Sequence, residues 1–246
     1  ISACLVGSEM CIRDRKYIYA GADLNARFSR VYGQDVESGL GRIRHSIEPT
    51  ISYSYIPRIE QGDVPHLDAV EQVHEQNLAT FAVINRLTAR YKEGTNVRTY
   101  DIMVHRLSES YDLNLARDQN QQNAQPRSEL KSELALRTPK LLTFSSNANY
   151  NTYTNRLTSA SEGLSVKGAV VQLDLSHQYL RDPRTQFLIG GLGLKLEKWQ
   201  LNVQHWRDVQ NNATTQREYK VHYASQCWGA GASYTAKPGE RQILFL

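Results

Sequence analysis

Apolar and polar residues alternate with a period of two along almost the whole chain from Lys16 onward. In segment 17–28 one parity is entirely apolar and consists of Ile18, Ala20, Ala22, Leu24, Ala26 and Phe28. The same split recurs in four further segments, 79–91, 128–137, 169–179 and 218–223. Because successive side chains on a β-strand point to opposite faces, this pattern predicts strands with one apolar and one polar face.

The alternation predicts an all-β chain of about thirteen strands. Their expected bounds are 16–32, 43–57, 77–91, 97–116, 128–137, 140–150, 157–166, 169–181, 185–197, 199–208, 216–225, 228–235 and 241–246. Many exceed the roughly five or six residues of soluble strands and match the roughly 9 to 11 residues of a tilted transmembrane strand. The phase slips within 97–116, which predicts a β-bulge near His105. A short helix is expected only within 68–76.

Short and long connections alternate between these strands. The short set is 92–96, 138–139, 167–168 and the join near 198, and the longer set is 58–76, 117–127, 151–156 and 209–215. Short turns on one side and longer loops on the other are typical of outer-membrane barrels, whose short turns face the periplasm. Loop 33–42 is an exception, because it is long on the short side. We therefore predict an antiparallel transmembrane β-barrel of the outer-membrane type, incomplete at about thirteen strands.

The composition narrows the class of protein further. The 29 Lys and Arg and 25 Asp and Glu residues give a formal net charge of +4 and are scattered along the chain. Nucleic-acid binding needs basic residues gathered on one face, so no nucleic-acid partner is expected. No segment approaches the roughly 18 to 20 consecutive apolar residues of a membrane helix. A soluble β-sandwich or solenoid is the alternative, but the dense charge of the polar face favours a polar barrel lumen.

Residues 1–15 differ from the rest of the chain. Leu5 to Asp14 has the sequence LVGSEMCIRD, which resembles the translation of a sequencing-library adapter. We therefore expect 1–15 to be a non-native, adapter-derived segment. Excluding it removes Cys4 and Cys11 and leaves Cys227 alone. A single remaining cysteine is either a free thiol or the partner of a cysteine elsewhere.

Three stretches carry more specific motifs. They are RHSIEP at 44–49 with Tyr53, Tyr55 and Pro57; VPHLD at 64–68 with NRLTAR at 85–90; and YASQCW at 223–228 with Tyr234 and KPGERQ at 237–242. Together they resemble the C-terminal barrel of the LPS-assembly protein LptD (OstA) family, over 16–246. By this resemblance we expect 16–246 to be the C-terminal half of such a barrel, truncated on the N-terminal side and at the C-terminus.

The resemblance implies a transport function. Members of this family form a very large barrel in the outer membrane of Gram-negative bacteria, and lipopolysaccharide passes through it to the outer leaflet. The implied partners are an LptE-like plug lipoprotein in the lumen, a periplasmic LptA-like bridge protein that meets a preceding N-terminal domain, lipopolysaccharide as cargo and outer-membrane lipids. No bond of the cargo is broken, so no catalytic residue, cofactor or metal is expected.

The resemblance also assigns roles to individual residues. Cys227 matches a barrel cysteine that pairs with a cysteine of the periplasmic domain, and Gln226 stands where some members have a second cysteine. The alternative is that Cys227 is a buried free thiol. The family's lateral exit lies between the first and last strands, which makes four residues of the last predicted strand candidates for it: Gln242, Ile243, Leu244 and Phe245.

Polar-face arginines are candidates for cargo contact. Arg27, Arg86, Arg90 and Arg137 are predicted to face the lumen, where they could meet LPS phosphates or carboxylates of the plug. The alternative is an ordinary solvated wall. Pro49 lies within a predicted strand and cannot donate to a ladder, which predicts either a weakened pairing that helps the wall flex or a local kink without a role.

Enzymatic function has little support in the sequence. No HExxH, CxxC, GxSxG, Walker or GxGxxG motif occurs. His177 with Asp174, and His105 with Ser108 and Ser110, are the weak candidates for a hydrolase site. A generic outer-membrane porin or adhesin barrel is the main alternative to transport of lipopolysaccharide, and an outer-membrane hydrolase is a weaker one.

Overall fold

The computed structural model describes residues 2–4, 11–13, 18–34, 39–58, 74–118, 124–139 and 141–245. A short antiparallel hairpin pairs β1 (Ser2–Cys4) with β2 (Cys11–Arg13), within the segment expected to be adapter-derived. The other fourteen strands belong to one antiparallel sheet. Their bounds are β3 (Ala20–Asn25), β4 (Phe28–Tyr32), β5 (Gly39–Ile56), β6 (Gln76–Glu93), β7 (Asn96–Asp112), β8 (Leu130–Arg137), β9 (Leu142–Asn151), β10 (Arg156–Lys167), β11 (Val171–Leu180), β12 (Thr185–Leu196), β13 (Trp199–Asp208), β14 (Ala213–Ala224), β15 (Gly229–Lys237) and β16 (Glu240–Phe245).

The sheet is an uninterrupted series of neighbours in chain order. Each strand from β5 to β15 pairs with the strand before and after it, and β3 and β4 both pair with β5. The sheet does not close on itself, because β16 forms one edge and β3 the other. An all-β, antiparallel and incomplete barrel is therefore confirmed.

The thirteen predicted strands correspond to these fourteen because the first one is divided. β3 pairs with β5 as far as Thr50, and β4 pairs with β5 from Ile47. Glu48 and Pro49 lie between the two paired segments of β5. Pro49 has no N–H to donate. The interruption therefore falls where the sequence removes a donor.

Predictions for the end of β7 were wrong in one respect. The expected strand 97–116 stops at Asp112, and a short helix α1 (Leu113–Arg117) follows. Asp112 caps this helix, because its carboxylate accepts hydrogen bonds from the backbone N–H groups of Asn114 at 2.9 Å and Leu115 at 3.0 Å. Asp, Asn and Leu in this order are equally compatible with strand alternation, so periodicity alone missed the cap.

The sequence also predicts a β-bulge near His105 and a short helix within 68–76. The ladder between β7 and β8 runs without a shift from Met103 to Ser108, so the bulge predicted near His105 is absent from it. The helix expected within 68–76 lies mostly outside the described residues, and Gln76 already begins β6.

Two hairpins share one construction. The β9–β10 connection begins with Asn151, whose side-chain oxygen accepts hydrogen bonds from the N–H groups of Tyr153 and Thr154, both at 3.0 Å. The β13–β14 connection begins with Asp208, which accepts from the N–H of Asn211 at 3.0 Å. Hydrogen bonds from the Asn211 backbone and side-chain amides hold the pKa of Asp208, at the hairpin end of its strand, below its usual range.

The same hairpins continue alike. Asn155 lies four residues after Asn151, and Asn212 lies four residues after Asp208. Both adopt left-handed φ angles, 52° and 50°, a conformation that asparagine tolerates. Three residues later, Thr158 and Thr215 are extra residues in their ladders. Their hydroxyls donate to carbonyl oxygens of the paired strand, Asn149 at 3.0 Å and Trp206 at 3.4 Å. The repeated spacing therefore encodes an asparagine turn followed by a β-bulge.

The predicted alternation of connection lengths holds only in part, because the connections 138–141, 152–155, 181–184, 209–212 and 225–228 all have four residues although they lie on both sides of the sheet. The β6–β7 and β12–β13 hairpins turn in two residues each, 94–95 and 197–198, whereas 57–75 and 113–129 join β5 to β6 and β7 to β8. Gly94 allows the first tight turn through a φ of 60°. The β15–β16 turn lies on the side of the longer connections but has only two residues, 238–239. Gly239 adopts a φ of 81° in this turn.

The described chain divides into two compact units. One contains 1–26, 50–82 and 109–128, and the other contains 27–49, 83–108 and 129–246. In the second unit, register places Leu173 and Leu175 of β11 on one face with Leu164 and Val166 of β10. Leu173 and Leu175 are 50% and 52% exposed, so no core of described residues covers this apolar face.

Candidate functional site

Charged side chains gather on the polar face of the second unit. The group, which we call the ion-pair cluster, consists of Arg27, Ser46, Glu48, Arg86, Thr88 and Asp101. Glu48 is at its centre: its Oε1 lies 3.0 Å from Arg27 Nε and accepts a hydrogen bond from Ser46 Oγ at 3.0 Å. Arg86 Nε lies 3.8 Å from the same oxygen.

Asp101 holds the other side of Arg86. Its Oδ2 lies 2.5 Å from Arg86 Nη1, and its Oδ1 accepts a hydrogen bond from Thr88 Oγ1 at 2.8 Å. The Glu48 side chain is only 14% exposed and Arg86 is 30% exposed, so water screens this part of the cluster incompletely. The arrangement neutralises Arg86 twice and ties β5, β6 and β7 together.

The four arginines predicted from the sequence are not gathered in one place. Arg27 and Arg86 meet around Glu48, as described. Arg90 lies on β6 with an exposed side chain, and Arg137 ends β8 opposite Thr143, also exposed. Contact of any of them with a cargo stays a prediction.

A fifth polar-face arginine was missed in the sequence. Arg106 on β7 is directly opposite Glu133 on β8, and Arg106 Nε lies 3.9 Å from Glu133 Oε2. Both side chains are about half exposed. Finding this pair requires the strand register, which residue spacing within one strand does not provide.

The first unit contains an uncharged network instead. Asn77 is 6% exposed and accepts a hydrogen bond from Tyr53 Oη at 2.9 Å. Its amide nitrogen donates to Asn114 Oδ1 of α1, also at 2.9 Å. This network anchors the capped helix to β5 and β6. Because it joins positions 24 and 37 residues apart, no local sequence signal identifies it.

A polar triad interrupts the apolar face of the second unit. His177 Nδ1 is 2.6 Å from Glu162 Oε2, and His177 Nε2 is 2.9 Å from Gln186 Nε2. Glu162 and His177 are register partners next to the pair Leu164 and Leu175. The partner of His177 is therefore Glu162 and not Asp174, whose carboxylate accepts a hydrogen bond from Gln172.

The other hydrolase candidate also has a different partner. His105 Nε2 lies 3.0 Å from Ser132 Oγ on β8. Ser110 hydrogen-bonds Thr80 at 2.8 Å within the first unit. Within the described ranges, no group of three or more His, Cys, Asp or Glu side chains could hold a metal ion.

Cys227 lies in the β14–β15 turn as an exposed free thiol that the described residues do not bury, and its pairing with another cysteine stays a prediction. The N–H of Ser225 donates to the Trp228 carbonyl at 2.8 Å and closes this turn. The ring of Tyr223 packs at a tilt against both Trp199 and Trp228, with centroid distances of 4.8 Å and 5.1 Å. An aromatic cluster at a strand end is typical of the boundary of a membrane-facing band.

The four residues predicted to line an exit lie on the edge strand β16. They pair on one side only, with β15: Gln242 with Thr235, Ile243 with Tyr234, Leu244 with Ser233 and Phe245 with Ala232. Phe245 is 80% exposed. Ile243 and Phe245 share the apolar face, and Gln242 and Leu244 share the polar face.

Comparison with known proteins identifies one family. A model of the family described as LptD, LPS transport system D, matches residues 20–204. No curated protein matches the chain. Among the residues that the structure describes, no helix has the length and apolar character to cross a membrane.

Proposed function

Because the chain belongs to the LptD family of LPS transport proteins, we propose that it is part of the outer-membrane translocon that inserts lipopolysaccharide into the outer leaflet. A role in LPS transport and assembly follows from the family. The position in the wall of a plugged barrel with a lateral exit, and the outer membrane of a Gram-negative bacterium as its location, are the finer parts of this proposal.

One observation supports the wall most directly: the antiparallel sheet has a polar and an apolar face, and none of the described residues forms a core over the apolar one. Register partners keep Gln172, Asp174 and Asn202 on one face, and Leu173, Leu192 and Val203 on the other. A barrel wall requires this, because one face lines a polar lumen and the other meets lipid. An amphipathic cargo suits such a wall.

The open edges support a wider barrel. Unpaired backbone N–H and C=O groups cannot remain in lipid, so β16 and β3 need further strands. In our proposal this chain is the C-terminal half of the barrel, preceded by non-native residues 1–15, and β16 borders the lateral exit through Gln242, Ile243, Leu244 and Phe245. Ile243 and Phe245 would then face the acyl chains of the cargo.

The proposed partners follow from the same wall. An LptE-like plug lipoprotein fills the polar lumen, an LptA-like protein delivers lipopolysaccharide from the periplasm, and outer-membrane lipids cover the apolar face. Arg27, Arg86, Arg90 and Arg137 line the lumen. Cys227, in an exposed turn on the short-connection side, pairs with a cysteine of the periplasmic domain.

Depletion of the protein tests this proposal. The complete gene is placed under a controllable promoter in its own host, and newly made lipopolysaccharide is labelled at the cell surface. We expect surface labelling to fall while lipopolysaccharide accumulates inside the cell, and the complete gene to restore labelling. Unchanged surface lipopolysaccharide together with reduced uptake of small solutes would contradict the proposal and indicate a porin.

A further inference from the structure

One row of register partners on the apolar face of β13–β16 contains basic side chains instead of apolar ones. His205 of β13 is opposite Arg217 of β14, which is opposite Ala236 of β15, which is opposite Arg241 of β16. Directly opposed residues in an antiparallel sheet share a face, and adjacent strands are about 4.8 Å apart. The backbones of Arg217 and Arg241 are therefore about 10 Å apart on one face.

The adjacent row on the same face is apolar. Val203, Tyr219, Tyr234 and Ile243 are successive register partners two residues along each strand. The rings of Tyr219 and Tyr234 have centroids 6.2 Å apart. Basic side chains thus border an apolar and aromatic surface with no intervening row.

No carboxylate neutralises these basic groups on the described face of β13–β16. We call His205, Arg207, Arg217 and Arg241 the basic strip; all four are exposed. The Glu218 carboxylate lies on the other face, where its Oε1 is 2.9 Å from Lys220 Nζ. Asp208 is occupied by Asn211, and Arg207 donates a hydrogen bond to Asn212.

This lack of acid distinguishes the basic strip from the neighbouring strands. On β10 and β11 the polar pair of the apolar face is Glu162 with His177, which includes a carboxylate. The row of His205 continues through Gly190 of β12 to Leu175 and Leu164. Among the described strands β10–β16, basic character without acid on this face is therefore found next to the open edge at β16.

An amphiphile with an anionic head matches this surface. Guanidinium groups bind phosphate through charge-assisted, often bidentate hydrogen bonds, and the apolar row accepts acyl chains. We propose that the basic strip binds the phosphate groups of lipopolysaccharide in the outer leaflet beside β16, a landing site for cargo on the outer surface of the wall. This rests on the proposed function, which supplies lipopolysaccharide as the lipid.

Photo-crosslinking of the full-length protein in its own outer membrane tests the site. A photoreactive residue replaces Ala236, which lies between Arg217 and Arg241, and adducts with lipopolysaccharide are measured on immunoblots. We expect R217Q with R241Q to lower the adduct about tenfold, because two charge-assisted contacts are lost. We expect R217K with R241K to retain most of it.

Two controls make the result specific. R181Q with R184Q removes two arginines from the β11–β12 connection, and we expect it to leave the adduct unchanged. Membranes whose lipopolysaccharide lacks its lipid-anchor phosphates should give the same loss as the double glutamine variant. An unchanged adduct in R217Q with R241Q, or an adduct formed mainly with glycerophospholipid, would overturn the site.

The proposed function is judged by a separate readout. Surface labelling of new lipopolysaccharide is measured in the strains that carry each variant and in a depleted strain. If depletion leaves surface lipopolysaccharide unchanged, the proposed function fails, whatever the adduct shows. If depletion abolishes it and the Ala236 adduct does not depend on Arg217 and Arg241, the transport function stands and the landing site fails.

Discussion

Two sets of arginines on this sheet have the same side chain and opposite surroundings. In the ion-pair cluster, Arg27 and Arg86 lie at 3.0 Å and 2.5 Å from carboxylate oxygens of Glu48 and Asp101. In the basic strip, Arg217 and Arg241 have no carboxylate beside them on the described face of β13–β16. The first set is neutralised within the protein and braces neighbouring strands, whereas the second set keeps its charge for a ligand.

The difference shows that register, and not residue type, decides what an arginine does here. Arg86, Arg217 and Arg241 all lie on strands in which polar and apolar residues alternate, and Arg27 lies directly before β4. Glu48 reaches Arg86 because β5 and β6 are adjacent in the sheet. The partners of Arg217 are His205 and Ala236, neither of which carries negative charge.

Removing an arginine should therefore affect stability in one set and not in the other. Arg86→Ala leaves Asp101 without its arginine partner and removes the weaker of the two arginine contacts of Glu48, and we expect the full-length barrel to lose about 2 kcal/mol of unfolding free energy. Arg217→Ala removes an exposed side chain and should cost less than about 0.5 kcal/mol. The loss in each variant is measured as the shift in unfolding temperature, which is read from the change in gel mobility when the folded barrel is heated. Equal losses would remove the distinction.

A carboxylate added within the basic strip should pair with its arginines and neutralise them, as Glu48 and Asp101 do in the ion-pair cluster. Ala236→Glu places an acid between Arg217 and Arg241, and we expect about a fivefold loss of lipopolysaccharide that co-purifies with the protein. Ala236→Gln has a similar size without charge and is the matched control. Lipid phosphate is assayed after purification. Co-purification that is unaffected by Glu at this position would contradict an open anion site.

The polar triad tests how an ion pair behaves on the apolar face. Glu162→Leu with His177→Leu replaces the pair by apolar side chains, and we expect stability to stay equal or rise by about 1 kcal/mol. His177→Leu alone leaves Glu162 without its partner and should cost about 1 to 2 kcal/mol. The same mobility measurement applies. A larger loss in the double variant than in the single one would show that this face does not meet lipid.

The smallest expected effect is a difference in stability between variants of the two β-bulges at Thr158 and Thr215. Thr158→Val removes a hydroxyl that donates at 3.0 Å, and Thr215→Val removes one that donates at 3.4 Å. We expect a loss of about 1 kcal/mol for Thr158→Val and less for Thr215→Val, because the second bond is long. Thr158→Ser keeps the hydroxyl and is the control. The reverse order would contradict this use of the hydroxyls.

Local patterns predicted most of the fold. Alternation located every strand of the large sheet, because each strand has one apolar face, and Pro49 marked the place where a ladder stops. The Asn-turn and bulge hairpins were encoded as well: Asn151, Asn155 and Thr158 have the same spacing as Asp208, Asn212 and Thr215. This repeated spacing is visible in the sequence alone.

The contacts between strands were beyond local patterns. Whether Arg86 meets Glu48 depends on the register of β5 against β6, which turn lengths and bulges set over some forty residues. The cap at Asp112 was missed because helix capping and strand alternation use the same residues there. The basic strip emerges only when four strands are aligned, since His205, Arg217 and Arg241 are unremarkable in their own strands.

The assignment of the two faces can be tested at adjacent residues of β13. A photoreactive residue replaces either Asn202, on the polar face, or Val203, on the apolar face, in the full-length protein in cells that make lipopolysaccharide. We predict that the probe at Asn202 captures lipopolysaccharide in transit, and that this adduct disappears when its synthesis stops, whereas the probe at Val203 captures lipids of the outer membrane, lipopolysaccharide included, whether or not synthesis continues. Two results would contradict a translocon wall with a polar lumen: adducts with glycerophospholipid at Asn202, or no lipopolysaccharide adduct there during active synthesis.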